Sequence, residues 1–104
     1  MNDFLKRLNS GSQYYYNPIV SAEIYAGAFK KELAIIEQFF TKLTHVDIDS
    51  ATGVEAGKYA NSFKKAYHKI SLEDYLIAAS AKVNNLTLWT HNKKHYPMKD
   101  IEII

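Results

Sequence analysis

Glu23, Asp74 and Asn92 are the side chains whose types and placement allow chemistry on a phosphate ester. Two carboxylates are a suitable start for a magnesium site, because that ion takes a few carboxylates and fills its shell with water and substrate phosphate oxygens. An ion held in this way activates water and neutralises a leaving oxygen. Asn92 is placed to position a metal-bound water, and Thr90 stands at the end of the strand before it. Each residue also has an ordinary reading. Ser71-Leu72-Glu73-Asp74 has the form of a capping box, and an acid in a first helical turn complements the helix dipole. Glu23 also reads as a helix surface residue, and Asn92 as a turn former after a strand.

The elements that must position these groups follow from periodicity and punctuation. Asp3 to Leu8 reads as a short helix broken by Asn9-Ser10-Gly11-Ser12, and Gln13 to Tyr16 as a strand. Asn17 is an N-cap with Pro18 in the first helical position, opening a helix that runs towards Gly27. In it, the small residues Ala22 and Ala26 flank Glu23. Phe29, Leu33, Ile36, Phe40 and Leu43 recur at helical spacing and predict one amphipathic helix. A strand over His45 to Ile48 follows, then a helix capped by Asp49 or Ser50 with Ala56, Ala60, Phe63 and Tyr67 inward. Ser71 starts a further helix through Leu72, Tyr75, Leu76, Ala79 and Val83, ended by Asn84-Asn85. Leu86 to Thr90 is a strand, His91 to Pro97 a loop and Ile101 to Ile104 a last strand. Strands alternating with helices imply an α/β domain with a mainly parallel sheet. In such sheets, strand C-termini and helix N-termini share one edge, where sites form. Glu23, Asp74 and Asn92 are all expected at that edge.

Composition narrows the alternatives. The 104 residues suffice for one domain, with 47% hydrophobic and 23% charged content. With no cysteine there is no thiol nucleophile or zinc-thiolate site, which fits a reducing cytosol. No apolar run reaches the ~18–20 residues of a membrane span. Net charge is only +2, and Arg7 is the single arginine, so bidentate phosphate clamps are scarce. Tyrosine occurs eight times, a composition that packs half-buried surfaces more often than it stacks on bases. His91 and His95 lie four apart but outside a helix, which disfavours a histidine metal site, and His68 reads as a partner for a helix C-terminus.

Three segments together resemble the PIN-domain family, in its VapC toxin type. They are Asn17 to Gly27 with Glu23, Ile70 to Ala79 with Asp74, and Leu86 to Tyr96 with Asn92 in a position often held by Asn or Asp. The resemblance implies a three-layer α/β domain that cleaves RNA internally at a Mg²⁺ or Mn²⁺ site. By position, Glu23 and Asp74 would be the metal ligands, Asn92 would support the metal or its water, and Thr90 would assist. It also implies a cytoplasmic toxin, commonly dimeric, that is neutralised by a cognate antitoxin protein.

The chain departs from that pattern at its start. Family members open with a strand ending in aspartate, typically Asp-Thr or Asp-Ser, and nothing of that kind precedes Phe4. That strand is central in the family's sheet, so its absence predicts two uncovered strand edges and poor retention of magnesium. The expectation is a PIN-like domain over residues 1–104, N-terminally truncated and impaired as a nuclease. The alternative is a non-catalytic module that binds an antitoxin or itself, using the apolar helix between Phe29 and Leu43.

Overall fold

The structure is a computed structural model that describes residues 7–10 and 13–104. Its strands are β1 (Arg7–Ser10), β2 (Gln13–Tyr16), β3 (Thr44–His45) and β4 (Thr87–Trp89), forming one sheet in the order β3-β2-β1-β4. The helices are α1 (Pro18–Ala26), α2 (Leu33–Phe40), α3 (Ser50–Phe63) and α4 (Leu72–Val83), with short 3₁₀ turns at Lys30–Glu32 and Lys93–His95.

Strands β2 and β3 run parallel, and β1 runs antiparallel to both β2 and β4. It follows that β2 and β4 point the same way. Their C-terminal ends open on one edge of the sheet, as the sequence predicts. Leu88 also pairs in parallel with Ile103, fixed by Leu88 N–H to Glu102 O (2.9 Å) and Ile104 N–H to Leu88 O (2.9 Å). The predicted strand at Ile101 to Ile104 is thus a single bridge extending the parallel set.

The central position does not stand vacant. Strand β1 fills it, in register Leu8↔Leu88 with β4 and Leu8↔Tyr15 with β2. Arg7 and Leu8 were expected in a helix, and Asn9 and Ser10 in its break; all four are strand. Residues 3–6 and 11–12 of that expectation lie outside the described residues. The physical reason is tertiary: backbone groups on two strand edges gain ladder partners, which outweighs a weak local helix preference.

Helix α4 is the hub, packing on α3, α1 and β4. Tyr75, Ile77, Ala78, Ala79, Ser80 and Ala81 are buried almost all the way round it. The small side chains let α3 approach closely through Ala56 and Thr52, both fully buried. Of the helix residues named from the sequence, Tyr75 and Ala79 are buried and Leu76 and Val83 half-buried, while Leu72 is 60% exposed. At its far end α4 closes with Asn85 at φ 56, the Leu86 N–H bonded to Ala81 O (2.8 Å) and the Asn85 N–H to Lys82 O (3.2 Å). Asparagine tolerates this left-handed position because its short polar side chain can bond locally.

Several boundaries differ from the periodic reading. The single helix expected from Phe29 to Leu43 is a 3₁₀ turn followed by α2, and only Ile36 and Phe40 of its stripe are buried. Glu32 accepts the Phe29 N–H (2.8 Å), which starts the helix late and leaves Phe29 outside it. Phe40 sits against Tyr16 (centroids 4.6 Å apart) and Tyr25 (5.8 Å), tying α2 to β2 and α1. The strand expected at His45 to Ile48 is Thr44–His45. Helix α3 is capped by Asp49, which accepts from Thr52 N–H (2.9 Å) and Oγ1 (2.8 Å). It ends at Phe63, so Tyr67 is exposed rather than inward, and His68 lies beyond any helix terminus it could complement.

A polar cluster fastens the C-terminal segment to α3 and α4. Lys82 Nζ lies 3.0 Å from both Glu55 Oε2 and Asp100 Oδ2, and Tyr59 donates to Asp100 Oδ1 (2.7 Å). Burial pushes the Asp100 carboxyl up, but bonds from Tyr59 and Lys82 outweigh it and hold the carboxyl below its ordinary range. Hydrogen bonding to Asp100 and Glu55 holds the Lys82 ammonium above its own. A depressed carboxyl stabilises the fold above its unfolded value of about 3.9, and the contribution fades as pH falls through the folded value. Asp100→Asn should therefore melt below the parent chain at neutral pH, with the gap closing under acid. A gap that stayed constant into acid would show that the charge on Asp100 contributes nothing. The raised Lys82 works in the opposite direction: its contribution is complete at neutral pH and is lost only as alkali removes its proton.

Candidate active site

Asp74 is the most constrained of the expected site residues. It is 4% exposed and lies in the first turn of α4. The capping box suggested by the sequence is present in both directions: Asp74 N–H donates to Ser71 Oγ (3.2 Å), and Ser71 N–H donates to Asp74 Oδ2 (3.3 Å). The structural role and the candidate chemical role therefore fall on one side chain. Tyr96 Oη donates to Asp74 Oδ1 (3.2 Å). Nδ1 of His95 stands 3.3 Å from Oδ2, an ion pair whenever the imidazole is protonated, though not aligned as a hydrogen bond. All these contacts are long for their kind.

Tyr96 and His95 reach Asp74 because β4 delivers the chain to this edge. After Trp89 the buried Thr90 accepts the Asn92 N–H on its hydroxyl (3.0 Å). The Asn92 carbonyl then accepts the His95 N–H (2.9 Å), closing the 3₁₀ turn. Thr90 and Asn92 thus shape the turn that presents His95 and Tyr96 to the carboxylate. The turn-forming reading of Asn92 is what its backbone shows, and its side chain is half-buried in the same loop.

Glu23 is placed by the other parallel strand. Asn17, fully buried directly after β2, accepts the Val20 N–H on Oδ1 (3.0 Å), and with Pro18 it starts α1 at the same sheet edge. Val20 and Ile24 anchor α1 inward, and Glu23 between them is half-buried with Oε1 shielded from solvent. Ala22 and Ala26, expected to leave room beside Glu23, face outward instead. Helix α1 packs on α4, the helix that carries Asp74.

Among the described residues, no three Asp, Glu or His side chains gather closely enough to hold a metal ion. The donor set suits a magnesium-like ion only as an open site, in which one or two carboxylates are completed by water and substrate phosphate oxygens. Glu23 and Asp74 are the residues that would hold it.

The residues missed by sequence reasoning are Tyr96 and, in its actual role, His95. The available signal was slight: an aromatic just before Pro97, in the loop that leaves β4 at the site edge.

The fold is an α/β domain with a buried, capped carboxylate at its strand edge, and comparison with known proteins gives its class. The PIN domain family model matches residues 2–101. The chain therefore belongs to the PIN-domain family. Within that family its likeness is to the VapC type. Ribonuclease VapC19 of Mycobacterium tuberculosis (strain H37Rv) is 32% identical over 91 residues, which is 88% of this chain and 73% of that protein. VapBC2 from Rickettsia felis, bound to a promoter DNA fragment, superposes with a TM-score of 0.76 at 25% identity, over 86% of this chain and 72% of that one. DNA-bound VapBC from Salmonella typhimurium gives the same TM-score at 23% identity, over 86% and 73%, a likeness of fold.

Proposed function

We propose that this chain is a VapC-type endoribonuclease, the toxin half of a toxin–antitoxin pair, acting in the cytoplasm with Asp74 as its central acidic group. One observation carries the reading: a nearly buried carboxylate is held at the shared C-terminal edge of β2 and β4 by its own helix cap and a phenol, with an imidazole beside it. Family membership and the likeness to ribonuclease VapC19 support reading this carboxylate as part of a ribonuclease site.

In this reading Asp74 and Glu23 hold a divalent ion, Mg²⁺ or Mn²⁺. The chemistry that ion supplies when bound is activation of water and neutralisation of charge on the leaving oxygen. The residues of the chain do the positioning. Ser71 and Tyr96 fix both oxygens of Asp74, so the carboxylate loses little freedom on engaging substrate. Thr90 and Asn92 hold the turn that carries Tyr96. With these two acids as the donors among the described residues, retention of the ion leans on the substrate itself. Cleavage of single-stranded RNA should therefore require added Mg²⁺, stop with EDTA and recover on re-addition. Cleavage at full rate in EDTA would remove the ion from the mechanism.

A second reading, a binding module with little or no catalysis, draws on one specific observation. Phe29 and Ile35 are each 70% exposed and Leu33 is 41% exposed around the start of α2. Exposed apolar side chains clustered in one segment mark a contact surface. Under either reading we assign this surface to the antitoxin protein or to a second copy of the chain. Ile35→Asp should weaken antitoxin capture or dimerisation, measured by light scattering and titration calorimetry, without lowering the melting temperature. A lowered melting temperature with unchanged association would assign Ile35 to folding alone.

A further inference from the structure

Beside Asp74, a cleft of about 490 Å³ opens between the α3–α4 connection and the 3₁₀ turn. Its walls include Tyr67, His68, Lys69, Ile70, Lys94 and His95. We infer that this cleft binds single-stranded RNA next to the bond to be cut, with Tyr67 stacking on a base and Lys69 and Lys94 meeting the flanking phosphates. The inference rests on the ribonuclease reading and adds the place where substrate is gripped.

Three observations carry it. First, the lining residues include no acid: two lysines and two histidines face the space, on a chain whose overall balance is only +2. The basic character is local, which a nearly neutral protein needs if it is to attract a polyanion at one point. Second, Tyr67 is 41% exposed, although its position at the end of the α3 repeat suggests burial. It stands at 6.0 Å, edge-on, against Phe63, which holds one side of the ring while leaving it accessible. An exposed, braced aromatic in a cleft that also carries cations is the arrangement that binds single strands without reading their sequence. Third, His95 belongs to both places: it lines the cleft and lies 3.3 Å from Asp74. A nucleotide in the cleft is therefore adjacent to the candidate catalytic carboxylate.

The absence of arginine from the cleft has a consequence for recognition. Lysine meets phosphate as a point charge without a fixed fork. The grip should therefore be tolerant of sequence at this nucleotide and strongly dependent on salt.

The test is fluorescence anisotropy of an end-labelled single-stranded RNA with the full chain in EDTA, where binding is read without cleavage. Tyr67→Ala should weaken binding roughly tenfold or more, and Tyr67→Phe should stay close to the parent, because stacking needs the ring and not the hydroxyl. The Lys69→Ala, Lys94→Ala double variant should weaken binding at low salt and flatten the slope of log affinity against log salt by about 1.4, two contacts at roughly 0.7 each. The Lys30→Ala, Lys31→Ala variant removes equal charge elsewhere and should leave the slope unchanged. Circular dichroism checks that each variant is folded. If the parent binds RNA and the cleft variants bind equally well, the cleft is overturned and the ribonuclease reading stands. If the parent binds no RNA, both fall. If an acidic peptide occupies the cleft, with affinity lost in Tyr67→Ala, while RNA does not, the site belongs to a protein partner and the inference is wrong.

Discussion

Asp74→Asn is expected to lower RNA cleavage by about 10²-fold or more while leaving the melting temperature within a few degrees of the parent. The asymmetry follows from the contacts of the side chain. The amide oxygen of Asn can accept the Ser71 N–H, and its nitrogen can donate to the Tyr96 oxygen, so the cap and the link to the loop after β4 both survive with one bond reversed. What disappears is the negative charge, with its ability to hold a cation and its complement to the α4 dipole, the latter worth about 0.3–1 kcal/mol. Asp74→Ala serves as the contrasting variant. It removes the cap partner at a cost of about 0.5–2 kcal/mol and leaves the buried Tyr96 hydroxyl without this acceptor, at about 1–3 kcal/mol more. Alanine should thus lower both activity and stability, and asparagine activity alone. Tyr96→Phe keeps the ring and removes the bond to Oδ1; loss of such an outer partner typically costs 10–100-fold. Cleavage measured under single-turnover conditions, together with thermal melts, checks all three. Full activity in Asp74→Asn would end the assignment of Asp74 as the central acid.

Leu88→Ala should produce the largest loss of stability. Leu88 is fully buried at the middle of β4, pairs in backbone register with Leu8 of β1 and bridges Ile103 on the other side. It joins the central strand to the C-terminal segment, so truncation leaves a cavity where two edges meet. Large-to-small changes at such positions cost about 2–5 kcal/mol. A domain of this size holds only about 5–15 kcal/mol in all. A drop in melting temperature of well over 10 °C is expected, at roughly 4–8 °C per kcal/mol. The turn carrying His95 and Tyr96 starts immediately after this strand, so activity should fall in step with the folded fraction and stay unchanged per folded molecule. A variant that melts like the parent yet has lost activity would show that β4 positions the site without carrying the core.

Much of the site was legible locally. Asn17-Pro18 as a helix start, Ser71 and Asp74 as a reciprocal cap and Asn84-Asn85 as a stop are short-range signals, because each is satisfied by a bond within three to five residues. The direction of β2 and β4, and so the shared edge, followed from alternating strands and helices. The approach of Tyr96 and His95 to Asp74 was not legible, since a contact across 22 residues of sequence leaves no periodic trace. The burial of α4 on nearly every side was hidden for a similar reason: alanines and a serine carry little hydrophobic signal, and only α3, α1 and β4 closing around them made that face a core.

The amino-acid order by itself determined the helix caps, the alternation of strands and helices after β1 and the identity of the acids and amide, because these depend on neighbours along the chain. Tertiary structure decided what fills the sheet's centre, where β1 runs against its neighbours, and which loop residues meet the buried carboxylate. Open strand edges and a half-satisfied acid are completed by whatever the folded chain brings to them in space, and nearness along the chain does not specify that choice.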